Sequence, residues 1–137
     1  MQVAETTSWR STCERNNVGA LIVLDGRPLS VGYNGAPAGL AHCQDIGCLI
    51  DSSGGCIRTQ HAEANAIAWA ARKGIAVEGA TLYVTLSPCL PCAKLIINAG
   101  IARVVYLSPY RDSTGVDYLR MAGVQVEEFP ITDLDVL

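Results

Sequence analysis

The stretch ATLYVTLSPCLPCAKLIINAGIARVVYL, residues 80–107, decides the fold. Ala80 to Leu86 reads as a strand, Leu90 to Ala99 as a helix stopped by Gly100, and Ala102 to Leu107 as a second strand. Strand, helix and strand in this order form a crossover unit, which belongs to a partly parallel sheet. Toward the N-terminus, Gly19 to Leu24 and Leu29 to Tyr33 predict a hairpin around Asp25-Gly26-Arg27-Pro28. The Ala-rich segment from His61 to Lys73, closed by Gly74, predicts a helix. Toward the C-terminus, Val116 to Ala122 predicts a helix ended by Gly123, and Val124 to Phe129 a last strand. Met1 to about Cys13 predicts a helix with Val3, Trp9 and Cys13 inward, and Asn34 to Gln60 a long loop of the kind that carries function. The order ββαβαβαβ predicts one domain over residues 1–137, a three-layer α/β/α sandwich on a five-stranded mixed sheet.

Composition narrows the function. In 137 residues, half of them hydrophobic, there is enough apolar side chain for one buried core and too much for a disordered chain. A net charge of -3 and a pI near 5.2 argue against binding a nucleic-acid backbone, which calls for a basic stripe, and favour a small substrate. Residues 1–13 show no basic segment followed by an apolar one, and the apolar runs are too short to span a bilayer, so neither a signal peptide nor a membrane partner is expected. With no signal, the six cysteines and a Cys-x-x-Cys spacing point to free or metal-bound thiols in a cytoplasmic protein.

Two short motifs carry the chemistry: His61-Ala62-Glu63, and Ser87-Pro88-Cys89-Leu90-Pro91-Cys92. One imidazole and two thiolates suit tetrahedral zinc, and three protein ligands leave a fourth position open, as catalytic sites require. Both motifs open a predicted helix, where unpaired N–H groups and the positive dipole end favour thiolates. Cys89 and Cys92, three residues apart, share a face. His61 and Glu63 can both reach past a helix start because side chains there lean N-terminally. Two thiolates and a neutral imidazole leave zinc formally uncharged and a weaker Lewis acid than a three-His site, so a base is needed. Glu63 fits that part, taking a proton from the attacking water. The alternative from a different class is a non-catalytic module stapled by zinc.

The paired motifs match the zinc-dependent nucleobase deaminases. Further stretches resemble one family among them, the deoxycytidylate (dCMP) deaminases: Ser11-Thr-Cys-Glu-Arg15, Val18-Gly19-Ala20, Gly32-Tyr-Asn-Gly-Ala-Pro37, Gly47-Cys-Leu-Ile-Asp51, His61-Ala-Glu-Ala-Asn-Ala-Ile67 and Tyr110-Arg-Asp112. The resemblance implies a cytidine deaminase-like fold and conversion of dCMP to dUMP and ammonia, with Arg15 on the substrate phosphate and Asn34 at the sugar. Ala62, Ser87, Tyr110 and Asp112 complete the expected pocket. A guanidinium fork suits phosphate oxygens, although Arg15 as a solvated charge and Asn34 as a turn former are the plainer readings. The resemblance also implies a homo-oligomer, a dimer or hexamer, with dCTP and Mg²⁺ as activator and dTTP as inhibitor, and Gly35, Trp69 and Arg72 at the subunit or effector region. Trp69 as a core residue is the competing reading. A tRNA adenosine deaminase is the second enzyme that the zinc motifs fit, disfavoured by the acidic pI.

Cys13, Cys43, Cys48, Cys56 and His42 remain. They are candidates for a second, structural zinc stapling the long loop, a site that the resemblance implies for some family members at positions matching Cys13 and Cys43. Plain buried or loop thiols are the alternative.

Overall fold

A computed structural model describes residues 1–131. Five strands, β1 (Gly19–Leu24), β2 (Arg27–Tyr33), β3 (Thr81–Leu86), β4 (Arg103–Ser108) and β5 (Gln125–Glu128), form one sheet in the order β2-β1-β3-β4-β5. β1 runs antiparallel to both β2 and β3, whereas β3, β4 and β5 are mutually parallel, so the sheet is mixed as expected. The hairpin turns on Asp25 and Gly26, both with positive φ, which matches the twist of the flanking strands.

The helices are α1 (Gln2–Ser8), α2 (Cys43–Ile46), α3 (Ala62–Lys73), α4 (Leu90–Asn98) and α5 (Thr114–Met121). The crossovers through α4 and α5 step the same way across the sheet, which puts both helices on one face. There they share a core with α3: Ile22, Leu82, Val84 and Val104 of the sheet meet Ala66, Ala70, Ile96 and Leu119. Each large side chain buried there stabilises by about 1.5–3 kcal/mol. The alanines of α3 let it lie close to β2. A Cβ on Gly32 would stand 2.1 Å from the Ala62 carbonyl oxygen, so glycine at that position sets the helix against the sheet.

Among the described residues the opposite face carries α1, and here the structure corrects the sequence. The helix stops at Ser8, five residues before Cys13. Val3 and Trp9 point outward, at 49% and 77% exposure, while Ala4 and Ser8 are buried against β1. Small residues four apart allow a close approach that a tryptophan would block. Cys13 is buried, but in the loop after the helix. The long loop also contains more order than expected. Gly35 and Gln60 pair at its neck, N–H to carbonyl in both directions, and α2 forms near its middle.

Candidate functional site

The sheet topology gathers the functional segments at one edge. The C-terminal ends of the parallel strands β3 and β4 lie there, and β2, antiparallel to β1, also ends there. Ligand sites of α/β sheets form at such strand ends. The chain leaves β3 and enters α4 within three residues, making Cys89 the residue that caps α4 and placing Cys92 in its first turn. His61 caps α3 in the same way, and Glu63 sits in the first turn behind it. α5 presses on this corner from outside: a Cβ on Gly115 would meet the Pro88 carbonyl oxygen at 2.1 Å.

The ligand atoms of His61, Cys89 and Cys92 lie within 4.8 Å of one another. His61 Nδ1 is 3.3 Å from Cys89 Sγ and 3.5 Å from Cys92 Sγ. Zinc with ordinary tetrahedral bonds to one nitrogen and one sulfur holds them about 3.5 Å apart. The three residues therefore fit zinc with no rearrangement, and three ligands leave one position free. The hydrogen bond with Cys92, followed by that from His61, holds the Cys89 thiol down at about 4, and Cys92 is pushed up in return. The bond to Cys89 raises His61. Glu63 is 4% exposed, and burial raises its carboxyl to about 7.

His61 and Cys89 of this cluster line a cavity of about 290 Å³, which Glu63, Asn34, Arg15, Tyr110 and Arg111 also line. A buried proton carrier, a three-ligand metal position and a concave pocket with cations can activate water against a bound small molecule.

The family profile for the cytidine and deoxycytidylate deaminase zinc-binding region matches residues 1–108. The chain belongs to this family. ComE operon protein 2 of Bacillus subtilis is 46% identical over 129 residues, covering 93% of this chain and 67% of that protein. The deoxycytidylate deaminase of Enterobacteria phage T4 is 36% identical over 176 residues, covering 100% of this chain and 91% of the phage enzyme. Among solved structures, the dCMP deaminase of cyanophage S-TIM5 in complex with dCMP and dUMP superposes with a TM-score of 0.83 at 36% identity, over 93% of this chain and 92% of that one.

The remaining predicted residues of this deaminase divide sharply. Arg15, Asn34, Ala62, Ser87 and Tyr110 all line the cavity. Asn34 is buried. Its Oδ1 accepts from the Val18 N–H at 2.9 Å and its Nδ2 donates to the Asn16 carbonyl at 2.7 Å, leaving one amide hydrogen and one lone pair unused. Ser87 Oγ accepts from the Tyr110 N–H at 2.7 Å and so ties β3 to the loop after β4. Asp112 does not line the cavity. It is exposed, and its Oδ1 accepts from the Thr114 N–H at 2.9 Å, closing the turn into α5. Gly54, Gly55, Thr59 and Arg111 line the cavity without having been singled out from the sequence. Arg111 lies in the Tyr110-Arg-Asp112 stretch that carries the family resemblance, which by itself assigns it no role.

A second soft cluster lies beside the cavity. The Sγ atoms of Cys13, Cys43, Cys48 and Cys56 are within 4.8 Å of one another, with Cys43 and Cys56 3.6 Å apart. Tetrahedral zinc spaces two thiolates about 3.8 Å apart, so these four also fit. Burial pushes the Cys43 thiol up to about 12. Against its own burial, the Arg58 and Leu49 N–H groups hold Cys56 down at about 6. His42 is not in this group, contrary to its place among the candidates. It caps α2, its N–H donates to Asp45 Oδ2 at 3.1 Å, and its Nδ1 lies 3.0 Å from Thr12 Oγ1. Four thiols complete a tetrahedron without it.

Gly35, Trp69 and Arg72 do not line the cavity. Trp69 is 47% exposed with Lys73 Nζ 4.8 Å from its ring centre, which rules out a core position, and Arg72 is exposed. No helix among the described residues is long and apolar enough to cross a membrane.

Proposed function

We propose that this chain hydrolyses dCMP to dUMP and ammonia, using zinc held by His61, Cys89 and Cys92. The observation that carries the reading is the buried Glu63 carboxyl beside a three-ligand zinc position, in a cavity that also presents Arg15. The cyanophage enzyme, of the same fold, binds dCMP and dUMP and supports the substrate.

Zinc, when bound, supplies the Lewis acidity that makes water a nucleophile near neutral pH. Glu63 takes the proton that the attacking water gives up, as water adds to the amine-bearing carbon of the ring. It delivers that proton to the ring nitrogen and moves the second one to the departing amine, which leaves as ammonia. Burial holds Glu63 in the range where a carboxyl can both accept and return a proton at neutral pH. Ala62, Ser87 and Tyr110 frame the base. Asn34, already fixed by its two backbone bonds, offers its unused amide hydrogen or lone pair to a sugar hydroxyl. Arg15 grips phosphate oxygens in a charge-assisted pair.

The four cysteines hold a second zinc. Four ligands close the coordination shell and make that metal structural. The exposed α3 face with Trp69 and Arg72, together with Gly35, serves subunit contact in a homo-oligomer and the response to dCTP with Mg²⁺ and to dTTP. None of the six cysteines is paired in a disulfide, as in a protein kept in a reducing cytoplasm.

A substrate panel of dCMP, dCTP, deoxycytidine, cytidine and a tRNA anticodon stem, followed by ammonia release, tests the reading. dCMP should give the highest kcat/KM. Faster turnover of deoxycytidine or of the tRNA stem would overturn it. Addition of dCTP at low dCMP should raise the rate if the α3 face is the effector region.

A further inference from the structure

Asn65 interrupts the alanines that open α3, where asparagine is one of the poorer helix formers and alanine the best. Its side chain reaches to the neighbouring strand instead. Nδ2 donates to the Tyr33 carbonyl at 2.7 Å and, more weakly, to the Gln60 carbonyl at 3.4 Å, so both amide hydrogens are used. Tyr33 is the last residue of β2, and its carbonyl belongs to the peptide unit that leads into Asn34. Gln60 is the residue before His61. One side chain, two residues after Glu63, thus touches both the strand end that presents Asn34 and the segment that presents His61.

The peptide unit between Tyr33 and Asn34 is held from two sides. Its carbonyl accepts from Asn65 on α3, and its N–H donates to the Val18 carbonyl ahead of β1 at 3.2 Å. A planar unit pinned at both polar ends fixes where the Asn34 side chain begins. The Asn34 amide then bonds the backbone at Val18 and Asn16, which fixes the direction of its unused hydrogen and lone pair. A second tie between α3 and β2, from Ser30 Oγ to the Ala66 carbonyl at 2.7 Å, is buried and lies three residues back along the strand. Ser30 fastens helix to strand, whereas Asn65 fastens the helix start to the peptide that carries Asn34.

Resting on the dCMP reading above, we propose that Asn65 is a positioning residue, which sets the sugar-binding Asn34 at a fixed distance from Glu63. Asn65 does not itself line the cavity and acts through Asn34. Glu63 and Asn65 stand in the same turn of α3, so a movement of the helix start carries the base and the tether together, and Asn34 with them. Once the sugar hydroxyl is bound, the amine-bearing carbon of the ring keeps its place beside the base.

The test uses the zinc-loaded full chain with Asn65→Ala, which keeps a good helix former, and Asn65→Gln, which keeps the amide. kcat/KM is measured on dCMP and on its 2′,3′-dideoxy analogue, which lacks the hydroxyl offered to Asn34, at measured zinc content. In Asn65→Ala the preference for dCMP over the analogue should fall about 3- to 10-fold with zinc content unchanged, the scale of one neutral hydrogen bond. Asn65→Gln should recover part of that preference. Beside Asn34→Ala, the further change Asn65→Ala should alter dCMP turnover by less than about 2-fold, because the two side chains act as one unit. Ser30→Ala should lower the melting temperature and leave the preference as it was. Equal losses on the two substrates, an Asn65→Ala effect that persists in full beside Asn34→Ala, or a preference moved as far by Ser30→Ala would overturn the proposal and leave Asn65 a purely structural tie. Calorimetry with dUMP and its 2′,3′-dideoxy analogue reads the same preference without turnover. An unaltered chain that binds dUMP but does not turn over dCMP would count against the proposed reaction, with the binding preference still deciding the role of Asn65; one that binds neither would overturn both.

Discussion

The chain holds two clusters of soft ligands, one where α3 and α4 begin and one drawn from the segment ahead of β1 and the long loop with its single-turn helix α2, and their scaffolds differ as much as their ligand sets. His61, Cys89 and Cys92 sit where the chain turns from strand-end or loop into the first turn of α3 or α4, so the sheet and two helices fix their spacing. Cys13, Cys43, Cys48 and Cys56 come from segments with little regular structure, and mutual proximity is what they have in common. The first cluster has three ligands, a buried carboxyl beside it and a cavity in front. The second has four thiols and no vacancy. Rigid elements hold an incomplete shell for chemistry, whereas a complete shell can itself order a loop.

The sharpest way to break this comparison is to remove one ligand from each cluster. Cys89→Ala should lower the zinc content from two per chain to one and take dCMP turnover below detection, with the far-ultraviolet circular dichroism retained. Cys48→Ser, outside the cavity lining, should also cost one zinc, but its main effects should be a melting temperature lower by several degrees and a raised KM, because Cys13 and Cys56 of the same cluster border the cavity. Equal kinetic damage from both substitutions would erase the distinction.

Smaller effects test the scaffold. Gly32→Ala forces a methyl group against the Ala62 carbonyl, and overpacking of this kind costs about 1–3 kcal/mol. Denaturant unfolding should show that loss, and kcat should fall as α3 carries His61 and Glu63 out of place. The smallest change concerns Asp51, whose carboxyl is held below the usual carboxylate range first by the Ser53 hydroxyl and then by the Gly55 N–H. A lowered folded-state value means that its contribution is present above the unfolded value of about 3.9 and lost as pH falls through the lower one. Asp51→Asn should therefore flatten the acid side of the stability profile, read as melting temperature between pH 5 and 2.

Much of this was legible in the sequence where the determinants are local. The ligands His61, Cys89 and Cys92 and the base Glu63 are set by spacing within two short motifs, and hydrophobic runs bounded by glycine marked most strands and helices to within two residues. The misses arose where partners are decided in three dimensions. Trp9 reads as inward, with Val3 and Cys13, on a helix expected to run to Cys13, but the close contact of α1 with β1 buries Ala4 and Ser8. Asp112 read as pocket because it follows a strand, yet Thr114 two residues on consumes its carboxylate. His42 has the right chemistry for a metal and is used as a helix cap instead. Arg111 stands in a quoted family stretch, but its place at the cavity comes from meeting the loop that Arg15 also reaches, across 96 positions of sequence.

The most direct test of the division between the clusters is dCMP turnover by Glu63→Gln at measured zinc content. The account predicts two zinc ions per chain, an unchanged melting profile and a rate lower by about 10²- to 10⁴-fold, the share of a positioned proton carrier. Turnover within a few-fold of the unaltered chain, at full zinc content, would contradict it.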